Sequence, residues 1–395
     1  MREYFILNQA DIEFIQDNLD RDVAEIALDK SCNPKNKIFL LEQIYSRQRA
    51  KDKLPEFYDN PNLIFPKSLS IEQSSSELTA KYKASLFSGE SFADLTSGFG
   101  VDFYYLSQKF HSSDYNEKDK RLTEIACYNF EVLGLRHVEI SNFDYDDFLD
   151  ENKNLNKQKY DLIFIDPSRR IGSKKVIALE DYSPNIISRL DELVVLGEKV
   201  MIKCSPMLDV NLAIKQLKYV QEVICVSVNS EVKELLFILD KDFAGDIKFR
   251  ASIFKNTWSE IFFVQDEKNK SVEKSGVKKY IYEIDKSITK LEMQNSFAKK
   301  NDLTKIAQNT NYFTSERIIN EAGLSAYEVL EIMPFTIKNL KKKFSHQYLN
   351  IKTRNFPFQP EQIKKKINSV DGGKNYLLCF RDYENNLLSV LTKKS

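Results

Sequence analysis

Glycine, histidine and tryptophan are scarce. The 395 residues include only 11 glycines, 3 histidines and 1 tryptophan. Where glycines cluster in such a chain, the cluster carries information. No apolar run approaches the roughly 18 residues of a membrane helix. The opening MREYFILNQADIEF contains acids and no long apolar core, so it is not expected to be a secretory signal. The 5 cysteines, Cys32, Cys127, Cys204, Cys225 and Cys379, are scattered and contain no CxxC. That pattern argues against a disulfide scaffold or a metal site and for a reducing cytoplasm. The phosphate-loop pattern GxxxxGK[ST] and the dinucleotide fingerprint GxGxxG are both absent. His111, His137 and His346 show no spacing that would make a catalytic or metal-binding group.

What is present suits a globular chain: 42% hydrophobic and 29% charged residues, with 19 tyrosines and 27 phenylalanines. The length implies two or three domains. Formal net charge is zero, but it is unevenly spread. Residues 336–395 hold 13 Lys+Arg against 4 Asp+Glu, leaving 45 against 54 in the rest. A basic tail on an acidic body points to an anionic partner.

Three regions follow from the patterning. Residues 1–75 place apolar groups at helical spacing (Ile12, Ile15, Leu19; Ile38, Leu41, Ile44) and form a helical lead-in. NPNLIFP, with Pro61 and Pro66, reads as a connector, and Ser74–Ser76 with Glu77 as a helix cap of the capping-box type. Residues 76–268 alternate short apolar runs with helical stretches, the signature of a parallel sheet covered by helices on both faces. Residues 246–267 alternate with period two, as a closing hairpin would. A polar linker at 268–279 precedes a basic α+β domain at 280–395.

Four strand ends and the acid at residue 117 carry the chemistry. In FADLTSGFGVD an apolar strand ends in Asp94 and passes through Thr96, Gly98 and Gly100 into a helix. Such a loop lets backbone approach a nucleotide-like ligand at the carboxyl edge of a sheet. Two glycines alone also fit an ordinary tight turn; Asp94 and the scarcity of glycine favour the ligand loop. Glu117 lies about 20 residues on, where an acid takes ribose hydroxyls in such folds. A solvated charge cluster is the plainer reading, and the polar HSSDY makes a weak strand before it. Asp144 follows the strand VEI, where it suits an amino group or a plain surface loop. YDLIFIDPSRR delivers Asp166 and Pro167 to the same edge, followed by Arg169 and Arg170, whose planar forks suit a phosphate or carboxylate. Lys203 and Ser205 end another apolar strand in VMIKCSPMLD.

Together, DLTSGFG, Glu117, Asp144 and DPSRR resemble the class I S-adenosylmethionine-dependent methyltransferases. The chain is most similar to a bacterial subgroup with a THUMP-like, ferredoxin-like carboxyl-terminal domain. That subgroup pairs DLxxGxG with DPxRR and a KxSPMxD segment, matched by Lys203, Ser205, Pro206, Met207 and Asp209. EQSSSELTAKYKA, SEVKEL, IKTRNFPF and DGGKNYL extend the resemblance over roughly residues 70–395. It implies a Rossmann-like α/β sheet, a helical lead-in and a carboxyl-terminal α+β domain. It also implies S-adenosyl-L-methionine as cofactor. Asp94, Thr96, Gly98 and Gly100 would face the methionine part, Glu117 the ribose and Asp144 the adenine. Asp166, with Pro167, Arg169, Arg170 and Lys203, would sit near methyl transfer. Amino-methylating relatives carry [DN]PP[YFW] at this point. Here Ser168 and Arg169 replace the second proline and the aromatic, so base stacking by that residue is not implied.

RNA is the expected partner. KNLKKKF and EQIKKKI, with Phe344, Tyr348, Phe356 and Phe358 between, suit phosphate contacts and base stacking. A lysine-rich solvent face on two helices is the plainer reading. No membrane or metal is expected, and the sequence assigns no oligomeric state. A small-molecule or protein methyltransferase, or a non-catalytic cofactor-binding relative, is the alternative.

Overall fold

The computed structural model describes residues 7–31, 34–154, 159–169, 179–268 and 270–395. Arg170 and Cys32 lie outside the described residues. The chain forms two compact units. The first comprises residues 1–221 and 236–244, the second residues 222–235 and 245–395.

Six helices open the first unit: α1 (Gln9–Asp17), α2 (Val23–Leu28), α3 (Lys37–Ala50), α4 (Pro55–Asp59), α5 (Ser68–Gln73) and α6 (Glu77–Ala84). The NPNLIFP segment is a buried strap, because Leu63, Ile64 and Phe65 have no solvent exposure. Irregular backbone can be buried only if its polar groups are paired, and α3 supplies the partners. Arg47 donates to the carbonyls of Tyr58, Asn60, Pro61 and Leu63 at 2.6–3.2 Å. Gln43 takes both the N–H and the carbonyl of Phe65. Burial lowers the Arg47 pKa to about 10. Ser76 caps α6 by accepting from Thr79 N, 3.3 Å. Glu77 forms no capping box. It stands one residue after the cap instead of three, and its carboxylate accepts from Phe57 N, 3.1 Å.

The sheet of this unit contains β1 (Gly89–Asp94), β2 (Phe110–Asn116), β3 (Val138–Ser141), β4 (Tyr160–Ile165) and β5 (Gly197–Cys204). They are ordered 5-4-1-2-3, and each neighbouring pair is parallel. Helices α7 (Val101–Ser107), α8 (Lys120–Val132), α9 (Tyr145–Asn154) and α10 (Leu190–Leu196) provide the crossovers, and α11 (Val210–Gln216) follows β5. Leu162–Ile165 and Val200–Ile202 are buried on both faces, which explains their continuous apolar runs. β2 is a strand despite its polar sequence. Its Ser113 and Tyr115 are buried, and it pairs with both β1 and β3. Chain order reverses between β1 and β4, so the carboxyl ends of these two strands flank the switch point.

In the second unit, β8 (Lys248–Phe254) pairs in parallel with β6 (Val220–Val228) and antiparallel with β9 (Trp258–Val264). The expected closing hairpin is therefore present. The strand β7 (Glu231–Leu239) has residues in both units. A separate seven-stranded sheet contains β10 (Tyr280–Ile284), β11 (Thr304–Ala307), β12 (Thr310–Ser315), β13 (Leu324–Pro334), β14 (Asn350–Arg354), β15 (Asn375–Arg381) and β16 (Leu387–Lys394). Their order is 11-12-10-13-16-15-14. Helices α12 (Lys286–Lys290) and α13 (Gln294–Lys300) precede β11. From β13 onward the chain runs strand–helix–strand–helix–strand–strand, with α14 (Ile337–Phe344) and α15 (Pro360–Ile367). β14 and β15 are parallel. This is α+β, as expected, but the element order differs from the split βαββαβ of a ferredoxin-like domain.

Leu340, Phe344, Ile363 and Ile367 bury one face of α14 and α15 against Ile351, Leu377 and Cys379. Leu378 and Phe380 turn to the opposite face, beside Ile281 and Tyr312. Phe344 is therefore a core residue. Phe356 and Phe358 pack on Phe335, with ring centroids 4.7 and 5.8 Å away. Of the four aromatics expected to stack on bases, only Tyr348 is largely exposed, at 66%.

Candidate active site

The sequence-predicted acids converge at the carboxyl edge of the first unit's sheet. Asp94 ends β1 with no solvent exposure. Its Oδ1 accepts from Thr96 N, 2.9 Å, while Oδ2 has no hydrogen-bond partner among the described residues. Burial raises its pKa well above the usual carboxylate range. Asp102 and Asp166 reinforce the shift, and the Thr96 N–H and Lys203 oppose it. Thr96 also ties β1 to β4, because its hydroxyl accepts from Asp166 N, 2.7 Å.

The two loop glycines serve different ends. Both have positive φ, +55° at Gly98 and +86° at Gly100. A Cβ at Gly98 would meet nothing within 4 Å, so open space borders its backbone. A Cβ at Gly100 would lie 2.8 Å from Phe130 Cζ. Close packing accounts for Gly100, where the sequence suggested approach by a ligand.

Glu117 follows β2 and braces this loop. Its Oε2 accepts from Gly98 N, 2.9 Å, and its Oε1 from Asp119 N, 2.8 Å. Tyr115, kept protonated by burial and by Glu117, donates to Gly98 O, 2.7 Å. Asn142 donates to Glu117 O, 2.6 Å, and Asn116 Oδ1 accepts from Phe143 N, 3.0 Å. The loops after β1, β2 and β3 are thus bonded together. Asp144 is exposed at the start of α9, where its Oδ1 accepts from Asp146 N, 3.4 Å.

A buried charge network lies beside Asp94. Lys203 Nζ at the end of β5 pairs with Asp166 Oδ2 at 2.5 Å and Asp102 Oδ2 at 3.1 Å. Lys83, fully buried on α6, pairs with Asp102 Oδ1 at 3.1 Å. The Ser75 hydroxyl donates to Asp102 Oδ2, 2.7 Å, and accepts from Lys203, 2.9 Å. Burial works against ionisation of Asp102, yet Lys203, Lys83 and Ser75 hold its pKa down to about 2. Asp166 keeps 34% of its side-chain exposure. Desolvation at the edge still raises its carboxyl above the usual range, against the pull of Lys203. Burial likewise pushes up the Cys204 thiol, which suits a structural cysteine.

Sequence reasoning found Asp166 and Lys203 but missed Lys83, Ser75 and Asp102. The SSSELTAKYKA segment was a signal, since it supplies both Ser75 and Lys83. Beyond Pro167, the backbone of Ser168–Arg169 pairs antiparallel with Tyr182–Ser183. Among the described residues, no group of three or more His, Cys, Asp and Glu is placed to hold a metal, and no helix is long and apolar enough to cross a membrane.

The parallel order with a glycine loop after β1 invites comparison with known proteins. Residues 324–394 match the model of a THUMP domain-like family. Uncharacterised S-adenosylmethionine-dependent methyltransferases from two strains of Mycobacterium tuberculosis are 22% identical over 337 residues. The match covers 83% of this chain and 88% of theirs. A Porphyromonas gingivalis protein, assigned as a methyltransferase, has a crystal structure that superposes with TM-score 0.87 at 25% identity. The match covers 99% of this chain and all of the other. The chain is an S-adenosylmethionine-dependent methyltransferase. This methyltransferase has the class I fold, with a THUMP-like region near its carboxyl end.

Proposed function

We propose that this methyltransferase modifies RNA, with the cofactor at the β1–β3 edge and the acceptor at the β4–β5 edge. One observation carries the site assignment: Asp94 and Asp166 end adjacent parallel strands on either side of the switch point. The residues fit the cofactor. The open space at Gly98 is a cradle that any Cβ would begin to fill, and the Asp94 Oδ2 is a buried polar atom without a partner among the described residues. Asp94, Thr96 and Gly98 would hold the methionine part, with Gly100 shaping their loop. Glu117 would take the ribose and Asp144 the adenine.

Bound S-adenosylmethionine supplies a methyl group on a sulfonium centre, whose sulfur leaves uncharged. Such a displacement needs alignment more than acid–base help. Asp166 suits that task, because one oxygen is fixed on Lys203 and its side chain still meets solvent. Pro167 stiffens the exit from β4. Arg169 and Arg170 are assigned to a substrate phosphate by residue type and position alone.

The RNA assignment draws on the THUMP-like match and on the lysines. Lys341, Lys342 and Lys343 are exposed on α14, as are Lys365 and Lys366 on α15. Three of the seven lysines on these helices have local engagements. Lys343 pairs with Glu331, Lys364 pairs with Asp371 at 3.0 Å, and Lys366 lies over Phe358. Residues 76–268 and 280–395 stand as the proposed catalytic and RNA-binding domains, with the cytoplasm as the proposed compartment.

The decisive experiment uses methyl-labelled cofactor with whole-cell RNA from a strain lacking the gene. A labelled nucleoside after digestion supports the proposal. Label found only in protein or small molecules would transfer the substrate assignment to those classes. Under this reading Asp166→Ala keeps cofactor affinity within a few-fold and lowers turnover by roughly a hundredfold, as loss of a transition-state contact does.

A further inference from the structure

Four charged residues beside the switch point form a relay. Lys83 on α6 touches Asp102 on α7, Asp102 touches Lys203 on β5, and Lys203 touches Asp166 after β4. Ser75 bridges Asp102 and both lysines. Formal charges alternate along it and sum to zero. A lone buried charge of this kind is strongly unfavourable, whereas a paired and hydrogen-bonded set is tolerable. The end of the relay, Asp166, is its one partly exposed member. A carboxylate paired through one oxygen and still open to solvent can meet a ligand.

We propose that Lys83 and Asp102, acting through Lys203, are positioning residues that set the direction and the charge of the Asp166 carboxylate for the methyl acceptor. The inference rests on the assignment of Asp166 to the acceptor edge made above. Lys203 holds Oδ2 and so restrains the carboxylate, while the Asp166 side chain keeps part of its exposure at the edge. Asp102 and Ser75 fix Lys203 in turn, and Lys83 fixes Asp102. Helix α6 thereby belongs to the site, although it precedes the glycine loop in sequence.

The charges facing Asp166 act in opposite senses. Lys203 and, more weakly, Lys83 favour its anion, and Asp102 disfavours it. Asp94 lies on the adjacent strand end and is itself pushed toward its neutral form. The Cys204 thiol next to Lys203 stays protonated. Removing Lys83 should therefore shift Asp166 titration to higher pH, and neutralising Asp102 should shift it to lower pH.

The test follows the carbon-13 carboxyl resonance of Asp166 through pH in the full chain, assigned by its loss in Asp166→Asn. The expected result is a midpoint that rises in Lys83→Met and falls in Asp102→Asn. The acid limb of turnover should move with it, while cofactor affinity stays within about threefold. Midpoints that do not move, or that move in the same direction, would overturn the inference. Should Lys83→Met fail to fold, Lys83→Arg replaces it, keeping the charge but displacing it. Turnover must then fall with cofactor affinity intact, and unchanged turnover would overturn the proposal. The two readings fail separately. Wild-type turnover in Asp166→Ala removes the assignment of Asp166 itself. Lost turnover there, with unmoved midpoints in Lys83→Met and Asp102→Asn, removes only the relay.

Discussion

The ring of Phe130 occupies the place a side chain at Gly100 would need. The nearest approach is 2.8 Å, and Phe130 is itself packed against Phe103 and Tyr115. The glycine loop is thus packed against an aromatic cluster at Gly100 and bonded to the Glu117 carboxylate at Gly98 N.

This separates the two glycines experimentally. Gly100→Ala combines left-handed backbone, costing about 1–2 kcal/mol, with a clash against Phe130. It should lower the melting temperature markedly. Gly98→Ala suffers the backbone cost but no clash, and its methyl enters the proposed cofactor space. Calorimetry should find its loss in cofactor affinity larger than its loss in stability. The reverse ranking would place the cofactor elsewhere.

Asp94 gives a pH dependence with a definite sign. Its folded pKa is raised, chiefly by burial, so between the ordinary unfolded value of about 4 and the raised one the folded state binds more protons. Stability therefore falls as pH rises through that window, and the full cost is present above it. Asp94→Asn should flatten this fall, gaining stability at neutral pH and little at the acid end. Urea unfolding at a series of pH values reads the difference. Parallel curves for the two proteins would show that Asp94 is not the responsible group.

Arg47 donates to the carbonyls of Tyr58, Asn60, Pro61 and Leu63. Arg47→Ala removes these bonds, at roughly 1–3 kcal/mol for each carbonyl left unpaired where water cannot reach. Denaturant unfolding should show a large loss of stability. A loss below about 1 kcal/mol would mean that water replaces the guanidinium.

The lysine helices can be tested by salt. Lys341, Lys342 and Lys343 changed together to Gln should weaken RNA binding about equally across sequences and flatten its salt slope, because each neutralised phosphate releases counterions. Cofactor affinity should not change. A wild-type slope in the folded variant would reduce these residues to a solvated face whose cations favour the carboxyl ends of α14 and α15.

Much of the first unit was legible because buried parallel strands are continuous apolar runs and their ends are marked by Asp94 and Asp-Pro at 166–167. β2 was faint, since its buried Ser113 is polar. The relay was illegible for a different reason. Ser75 and Lys203 are 128 positions apart and meet only through the fold. Local spacing did carry the correction at α14, where Ile337, Leu340 and Phe344 share one helical face, so Phe344 had to join the core. The packing constraint at Gly100 is not legible in the loop, because Phe130 meets it from across the fold.

The division of the chain between its two units bears on how the protein is made. Residues 222–235 belong to the second unit, and residues 236–244 return to the first. A ribosome therefore finishes the first unit only after it has already delivered a piece of the second. That early piece must wait for the synthesis of residues 245–395 before its own unit is complete. A stop codon or protease cut at the polar stretch 268–279 would leave residues 222–235 and 245–267 without the rest of their unit.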